Sequence, residues 1–250
     1  YLCDVKNSTA RNIAITIIAA TGLMVGSIAA WRMLRTRQPH VEIDRLAYPV
    51  AGVDLSAHNG IVDFDSLAAA GINFAYLKAS EGISFRDPSF ALNYAKGRRA
   101  GLALGAYHFF RFDCDGRRQA INLLSAISNC SLDLPVGIDV EEWGNPAEYP
   151  TEIVRERLRT MIALLQASGQ RVIVYTNKQG HSRFVREAFA VAERPEVWIC
   201  SFTDPPLSRE PWMIWQHSHI GRLPGVKGAV DLNIFNGDSL QWLEWLGKGQ

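Results

Sequence analysis

An α/β barrel, entered through one N-terminal apolar helix, is the fold that the sequence predicts. Three observations carry it. From Val50 onward eight short, apolar, β-rich runs succeed one another, and each of the first five is followed by a helical pattern. The length, 250 residues, suits one barrel of about that size. Residues 13–31 (IAITIIAATGLMVGSIAAW) run for nineteen residues without a charge. Composition excludes several alternatives. With 48% hydrophobic and 20% charged residues, wholesale disorder, a collagen and a polytopic membrane protein are ruled out. A formal net charge of +1 leaves no electrostatic footprint for nucleic acid, so no nucleic-acid partner is expected. Four Cys make no disulfide scaffold.

The N-terminal run comes first. As a helix it spans roughly 28 Å at about 1.5 Å per residue, enough for a bilayer core. Lys6 and Arg11 precede it, and Arg32, Arg35 and Arg37 follow it. Segment 1–37 therefore reads as a membrane anchor or signal segment, with residues 13–31 as the membrane partner. A small-x-small site at Ser27-Ile28-Ala29 offers cleavage, but the run is long for a signal core of about 7–15 residues. Basic residues on both sides leave the orientation undecided. Residues 38–49 read as a linker containing Pro39 and Pro49. Segment 1–37 holds five basic and one acidic side chain, so the rest holds 21 basic and 24 acidic and is slightly negative.

The barrel is then expected over 50–246. Its strands read 50–56, 73–80, 102–110, 134–141, 171–176, 196–202, 211–218 and 228–235. The first helix runs from Asp63 to Ala70, before Gly71. The second runs from Pro88 to Ala100, with Asp87 as N-cap and Gly101 as stop. A third covers Arg117 to Ile127. A fourth, capped by Thr151, reaches about Ser168 with Glu152 in its first turn. A fifth helical stretch reaches about Ala192. The spacing predicts a parallel sheet with a helix-poor last third.

Acidic residues fall at strand ends. Asp54 closes strand one, Asp139 and Glu141 close strand four, and Asp231 closes strand eight. The C-terminal strand ends form the active-site face of such barrels. Side chains at i and i+2 share a face, so Asp139 and Glu141 point together. Strands one and eight are neighbours on closure and strand four lies across the mouth, so one cleft receives four carboxylates. Crowding like charges raises at least one pKa, which keeps one carboxyl protonated as an acid while another stays ionised. Glycoside hydrolysis asks for such a pair. Lys78, in an otherwise apolar strand, reads either as the partner of a cleft carboxylate or as a lysine snorkelling at the barrel mouth.

The same residues carry a resemblance. GVDLSAHNG (52–60), YLKASEG (76–82), GAYHFFRF (105–112), GIDVE (137–141), VIVYTN (172–177), EVWICSF (196–202), WQHS (215–218) and VDLN (230–233) occur in this order. Together, over about residues 50–245, they resemble the family 25 glycoside hydrolases, the Chalaropsis-type lysozymes. The resemblance implies a TIM-like (β/α)5(β)3 barrel. It implies a lysozyme that cleaves the β-1,4 bond between N-acetylmuramic acid and N-acetylglucosamine in peptidoglycan. By position, Glu141 is then the general acid. Asp139 tunes it or stabilises the developing cation, and Asp54 and Asp231 complete the catalytic cluster. Lys78, Tyr107, Tyr175, Trp198 and Gln216 match blocks that line the sugar groove. The sequence departs from the family pattern at His217, where Tyr is frequent, and at Cys200, where a small residue is frequent.

Two rival readings stand beside this one. A non-catalytic glycan-binding barrel would use the same groove without cutting. A metal-dependent hydrolase would use His217-Ser218-His219 with Asp231. In such hydrolases the H-x-H lies at the first strand, whereas strand one here ends Asp54-Leu55-Ser56, so no metal and no cofactor is expected. His217 and His219 then read as a strand end and a loop residue. A Cys200–His217 nucleophilic pair is conceivable between neighbouring strands. Cys114 and Cys130 flank helix three, too far apart for a disulfide. The expected protein is a monomer acting on peptidoglycan strands. It is either membrane-anchored, with its barrel in the periplasm or outside the cell, or secreted after signal cleavage.

Overall fold

The computed structural model describes residues 41–146, 148–203, 206 and 211–247. The expected anchor over 13–31 lies outside them. Among the described residues no helix is long and apolar enough to cross a membrane.

Nine strands form one sheet: β1 (Ala51–Leu55), β2 (Ile72–Glu81), β3 (Phe85–Arg86), β4 (Ala103–Phe109), β5 (Val136–Asp139), β6 (Val172–Asn177), β7 (Glu196–Cys200), β8 (Ile214–Gly221) and β9 (Val230–Phe235). Their order is β1-β9-β8-β7-β6-β5-β4-β2-β3, and β1 also pairs with β2. That last pairing closes an eight-stranded barrel, and β3 folds back on β2 as a lip. All eight expected strands are present. Their expected parallel arrangement holds through β1–β2–β4–β5–β6–β7–β8 but fails at the seam, where β9 is antiparallel to both β8 and β1. The reason is the short link between β8 and β9, which contains no helix. A parallel return needs a crossover of a dozen residues or more, whereas a short connection forces a hairpin.

The helices are α1 (Phe64–Ala69), α2 (Phe90–Arg99), α3 (Gly116–Ile127), α4 (Thr151–Ala167) and α5 (Ser239–Trp245), with a helical turn and π-turn over 178–186. Several boundaries differ from expectation. Asp87 does not cap α2, which starts after Ser89. Its carboxylate instead accepts from the Ser89 and Ala57 amides, tying α2 to the turn after β1. Thr151 lies inside α4 rather than at its cap, and its hydroxyl accepts from Arg183 Nε at 2.8 Å. The helix expected to reach Ala192 stops at Arg186. Arg155 Nε donates to the Arg183 carbonyl and Arg159 to the Ala188 carbonyl, taking acceptors that further helix would need. α5 was not expected. It opens on a capping box formed by Asp238 and Gln241.

Strand alternation sorts the core into layers. Outward residues such as Val53, Leu77, Leu104, Ile138 and Val174 pack under the helices. Inward residues Phe74, Tyr76, Ile173, Trp198, Ile214 and Phe235 fill the barrel, and Trp242 of α5 packs against Phe74 and Phe235. Among the described residues no helix covers the outer face of β7–β9. Val41, Ile43, Tyr48 and Trp212 cover Val197, Ile199, Trp215 and Ile234 there. Two inward glycines make room for rings. A Cβ on Gly52 would lie 2.3 Å from the Phe74 ring, and one on Gly105 would lie 2.5 Å from the Tyr76 ring.

Candidate active site

A cavity of about 870 Å³ opens at the C-terminal ends of the parallel strands. Asp54, Asp139, Glu141 and Asp231 all line it, as do Lys78, Tyr107, Tyr175, Trp198 and Gln216. Each position follows from register. Asp54 of β1 stands directly opposite Asp231 of β9 in the antiparallel ladder, which puts both side chains on one face. Asp139 ends β5, flanked by Phe109 of β4 and Tyr175 of β6. Glu141 lies two residues beyond the end of β5 rather than in it. The Val140 amide still donates to the Tyr175 carbonyl at 2.9 Å, so the strand alternation persists and Glu141 keeps the face of Asp139.

At the seam the carboxylates are held by amides. Asp54 Oδ2 accepts from Gln216 Nε2 at 2.9 Å and from Asn233 Nδ2 at 2.8 Å. Gln216 Oε1 accepts from the Tyr175 hydroxyl at 2.8 Å, and Asn233 Oδ1 accepts from Trp198 Nε1 at 2.7 Å. Both amides are thereby oriented with their NH2 groups toward Asp54. Trp198, only 2% exposed, stacks on Tyr76 at 4.5 Å, so its indole fixes the network as well as lining the cavity. Burial holds the phenols of Tyr107 and Tyr175 well above their ordinary pKa, so both remain hydroxyl donors.

Burial raises the pKa of all four carboxyls. Asp231 is pushed up to about 8, by burial first, then by the charge of Asp54 and a hydrogen bond between the two. Glu141 is pushed up to about 7, by burial and then by Asp54, with Lys78 opposing. Asp139 is raised well above the usual range by burial, Glu141 and Asp54, and its Oδ1 is buried without a hydrogen-bond partner. Asp54 is raised by burial too, but hydrogen bonds from Asn233, Gln216 and Asp231 all favour its anion. Asp54 is therefore the carboxyl that ionises first. At mildly acidic pH the cavity holds Asp54 as a buried, amide-bonded anion and a protonated Glu141 across from it. That combination can donate a proton to a leaving oxygen and stabilise positive charge nearby.

Lys78 does pair with a cavity carboxylate, but the partner is Glu81, at 2.8 Å. Arg111 reaches Glu81 on its other oxygen at 3.7 Å. Sequence reasoning missed Glu81, Arg111 and Asn233. Asn233 was findable, because it lies two residues after Asp231 and so shares its face.

His217 and His219 both lie within β8, not at a strand end and in a loop. The side chain of His217 points to the opposite face from Gln216, toward Trp215, with ring centroids 6.0 Å apart. His219 lines the cavity beyond a register shift and lies against Phe202 at 4.3 Å. Among the described residues no group of three His, Cys, Asp or Glu is disposed to hold a metal ion. Cys200 faces the cavity, and burial pushes its thiol up to about 12, so it is a poor nucleophile. Cys114, Cys130 and Cys200 are free thiols.

Comparison with known proteins adds an independent line. The family model described as glycosyl hydrolases family 25 matches residues 53–226. Lysozyme M1 of Streptomyces globisporus is 32% identical over 208 residues, 78% of this chain and 70% of that protein. The N,O-diacetylmuramidase of Chalaropsis sp is 29% identical over 208 residues, 75% of this chain and 96% of the relative. The solved structure of a family 25 glycosyl hydrolase from Bacillus anthracis superposes with a TM-score of 0.75 at 32% identity, covering 86% of this chain and 99% of that one.

Proposed function

The chain belongs to the glycosyl hydrolases of family 25, and we propose that its groove hydrolyses the β-1,4 bond between N-acetylmuramic acid and N-acetylglucosamine in peptidoglycan, with Glu141 as general acid. Muramidase action is what the family and its lysozyme and diacetylmuramidase relatives support. The observation that carries the residue roles is the contrast in the cavity between Asp54, offered two amide donors, and Glu141, raised to about 7.

In this reading Glu141 gives its proton to the glycosidic oxygen as the bond to the muramic acid anomeric carbon breaks. Asp54 is the anion that faces the developing oxocarbenium charge. Asp139 shares the face of Glu141 and keeps its own proton, because burial and the charge of Glu141 both raise it, and it supports the acid or the developing cation from there. Asp231 stays protonated and donates to Asp54, keeping the negative charge on one residue. Tyr107, Tyr175 and Gln216 supply hydroxyl and amide partners for sugar hydroxyls. One barrel contributes the whole carboxylate cluster, which supports action as a monomer.

The test is clearing of purified cell walls, with release of new reducing ends at muramic acid. Wild type should clear and Glu141→Gln should not. Equal clearing by both would remove Glu141 from the role. Walls bound but never cut by wild type would favour the glycan-binding reading, and loss of activity on chelation would favour the metal reading. A wall substrate also requires the barrel beyond the membrane, with residues 13–31 as anchor or cleaved signal. Protease accessibility of the chain after Arg37 in intact cells tests that placement, and a protected barrel would contradict it.

A further inference from the structure

Trp143 stands two residues past Glu141 and lines the same cavity, yet it is 80% exposed. An indole left in water forgoes a large apolar burial, and this one stands on the rim of the carboxylate cavity rather than on open surface. The backbone that carries it is not loose. Asn145 Nδ2 donates to the Glu141 carbonyl at 2.9 Å and to the Phe110 carbonyl at 3.0 Å, while its Oδ1 accepts from the Phe112 amide at 2.8 Å. Arg111 donates to the Gly144 carbonyl, and Arg183 pairs with Glu142. Gly144 adopts φ 76° and lies so near β4 that a Cβ there would come within 3.1 Å of the Phe109 ring. The loop backbone over 141–145 is therefore bracketed from both sides, and it carries an exposed ring at the edge of the cavity.

A pyranose presents an apolar face of C–H groups and a rim of hydroxyls. The indole offers a flat apolar face, and Glu81 and Arg111 of the same cavity offer charged partners for hydroxyls. We propose that Trp143 is an outer stacking platform for a pyranose ring of the glycan strand, next to the ring whose glycosidic bond Glu141 protonates. The proposal rests on the muramidase reading for the identity of the strand. The platform binds a ring that does not itself react, so it holds ground state and transition state alike. Its loss should then raise KM and leave kcat nearly unchanged.

The test uses the full chain and soluble, peptide-free glycan strands. Trp143→Ala should raise KM about tenfold, with kcat within about twofold of wild type, and Trp143→Phe should recover most of the loss. In the Glu141→Gln background, which binds without cutting, Trp143→Ala should weaken affinity for the same strands by a similar factor. At such exposure the substitution should leave thermal unfolding unchanged. Unaltered KM and unaltered affinity would overturn the platform. So would a fall in kcat at constant KM, since that would make the loop a support for Glu141 alone. If wild type cuts no glycan, the muramidase reading fails by itself. The binding arm then still decides, with a tenfold weakening supporting the platform and an unchanged affinity overturning it.

Discussion

The parallel wall and the antiparallel seam of the barrel hold their acids in different ways. At the seam, Asp54 and Asp231 face each other across one ladder, and two oriented amides converge on Asp54. On the parallel wall, Asp139 and Glu141 come off the end of β5, where Asp139 keeps a buried oxygen without a partner and Glu141 stands past the last residue of the strand. An antiparallel ladder places side chains directly opposite one another, so it is suited to fixing a charge. Past the strand end, burial and the charge of Asp54 hold the proton on Glu141. The difference between the regions therefore lies in the two amides that reach Asp54, since Asp231 beside it is also raised, to about 8.

The sharpest way to break that contrast is Glu141→Gln, which removes the acid and should lower kcat by roughly 10³-fold, within the usual range for general acid catalysis. Wall-clearing rates with saturating substrate measure it. Asp54→Asn comes next, with an expected loss of about 10²-fold in kcat, because it removes the ionised partner. It should also move the alkaline limb of the pH–rate profile downward. Activity needs Glu141 protonated and falls as pH rises through about 7, and the charge of Asp54 helps hold that value up. An alkaline limb that stays in place would separate the two residues electrostatically.

Asn233→Ala tests how the seam fixes its anion. It strips one donor from buried Asp54, so the acidic limb of the same profile should shift upward, since that hydrogen bond lowers the pKa of Asp54. Stability should fall by about 1–3 kcal/mol for the partner left unsatisfied, read from urea unfolding. The smallest effect concerns stability against pH. Asp231 has a folded-state pKa near 8 against 3.8 for the free group. Its raised value favours the fold fully below about 4, and that contribution is lost as pH rises through about 8. Asp231→Asn should therefore flatten the decline in melting temperature across that window. A decline of unchanged slope would assign it to Glu141 and Asp139 instead.

Much of this was legible in the sequence. Short apolar, β-rich runs located every barrel strand, and the positions of Asp54, Asp139, Glu141 and Asp231 near strand ends sufficed to gather them at one mouth. Strand direction was not legible, because it depends on whether the chain between β8 and β9 can accommodate a crossover, and helix-poor sequence was read only as helix-poor. α5 had a signal in Asp238-x-x-Gln241 and in Trp242 and Trp245 three apart, but it lay past the last expected strand. The partner of Lys78 was missed for another reason. Glu81 sits at the far end of the long strand β2, where a register shift between Lys78 and Ser80 brings it onto the face of Lys78 at an odd spacing, and such a bulge leaves no periodic trace.

The glycines beneath the rings set the headroom of the groove. Phe74 and Tyr76 can lie across the barrel only because Gly52 and Gly105 offer no side chain, so the floor is a stack of flat plates on bare backbone. A third ring, that of Trp198, comes within 3.6 Å of where a Cβ on Gly137 would stand. A methyl group at Gly52 or Gly105 would instead collide with its ring, at 2.3 Å and 2.5 Å. Accommodation of bulkier sugar decorations is then a matter of plate thickness, adjustable without moving a strand or disturbing the outward-facing layer beneath the helices.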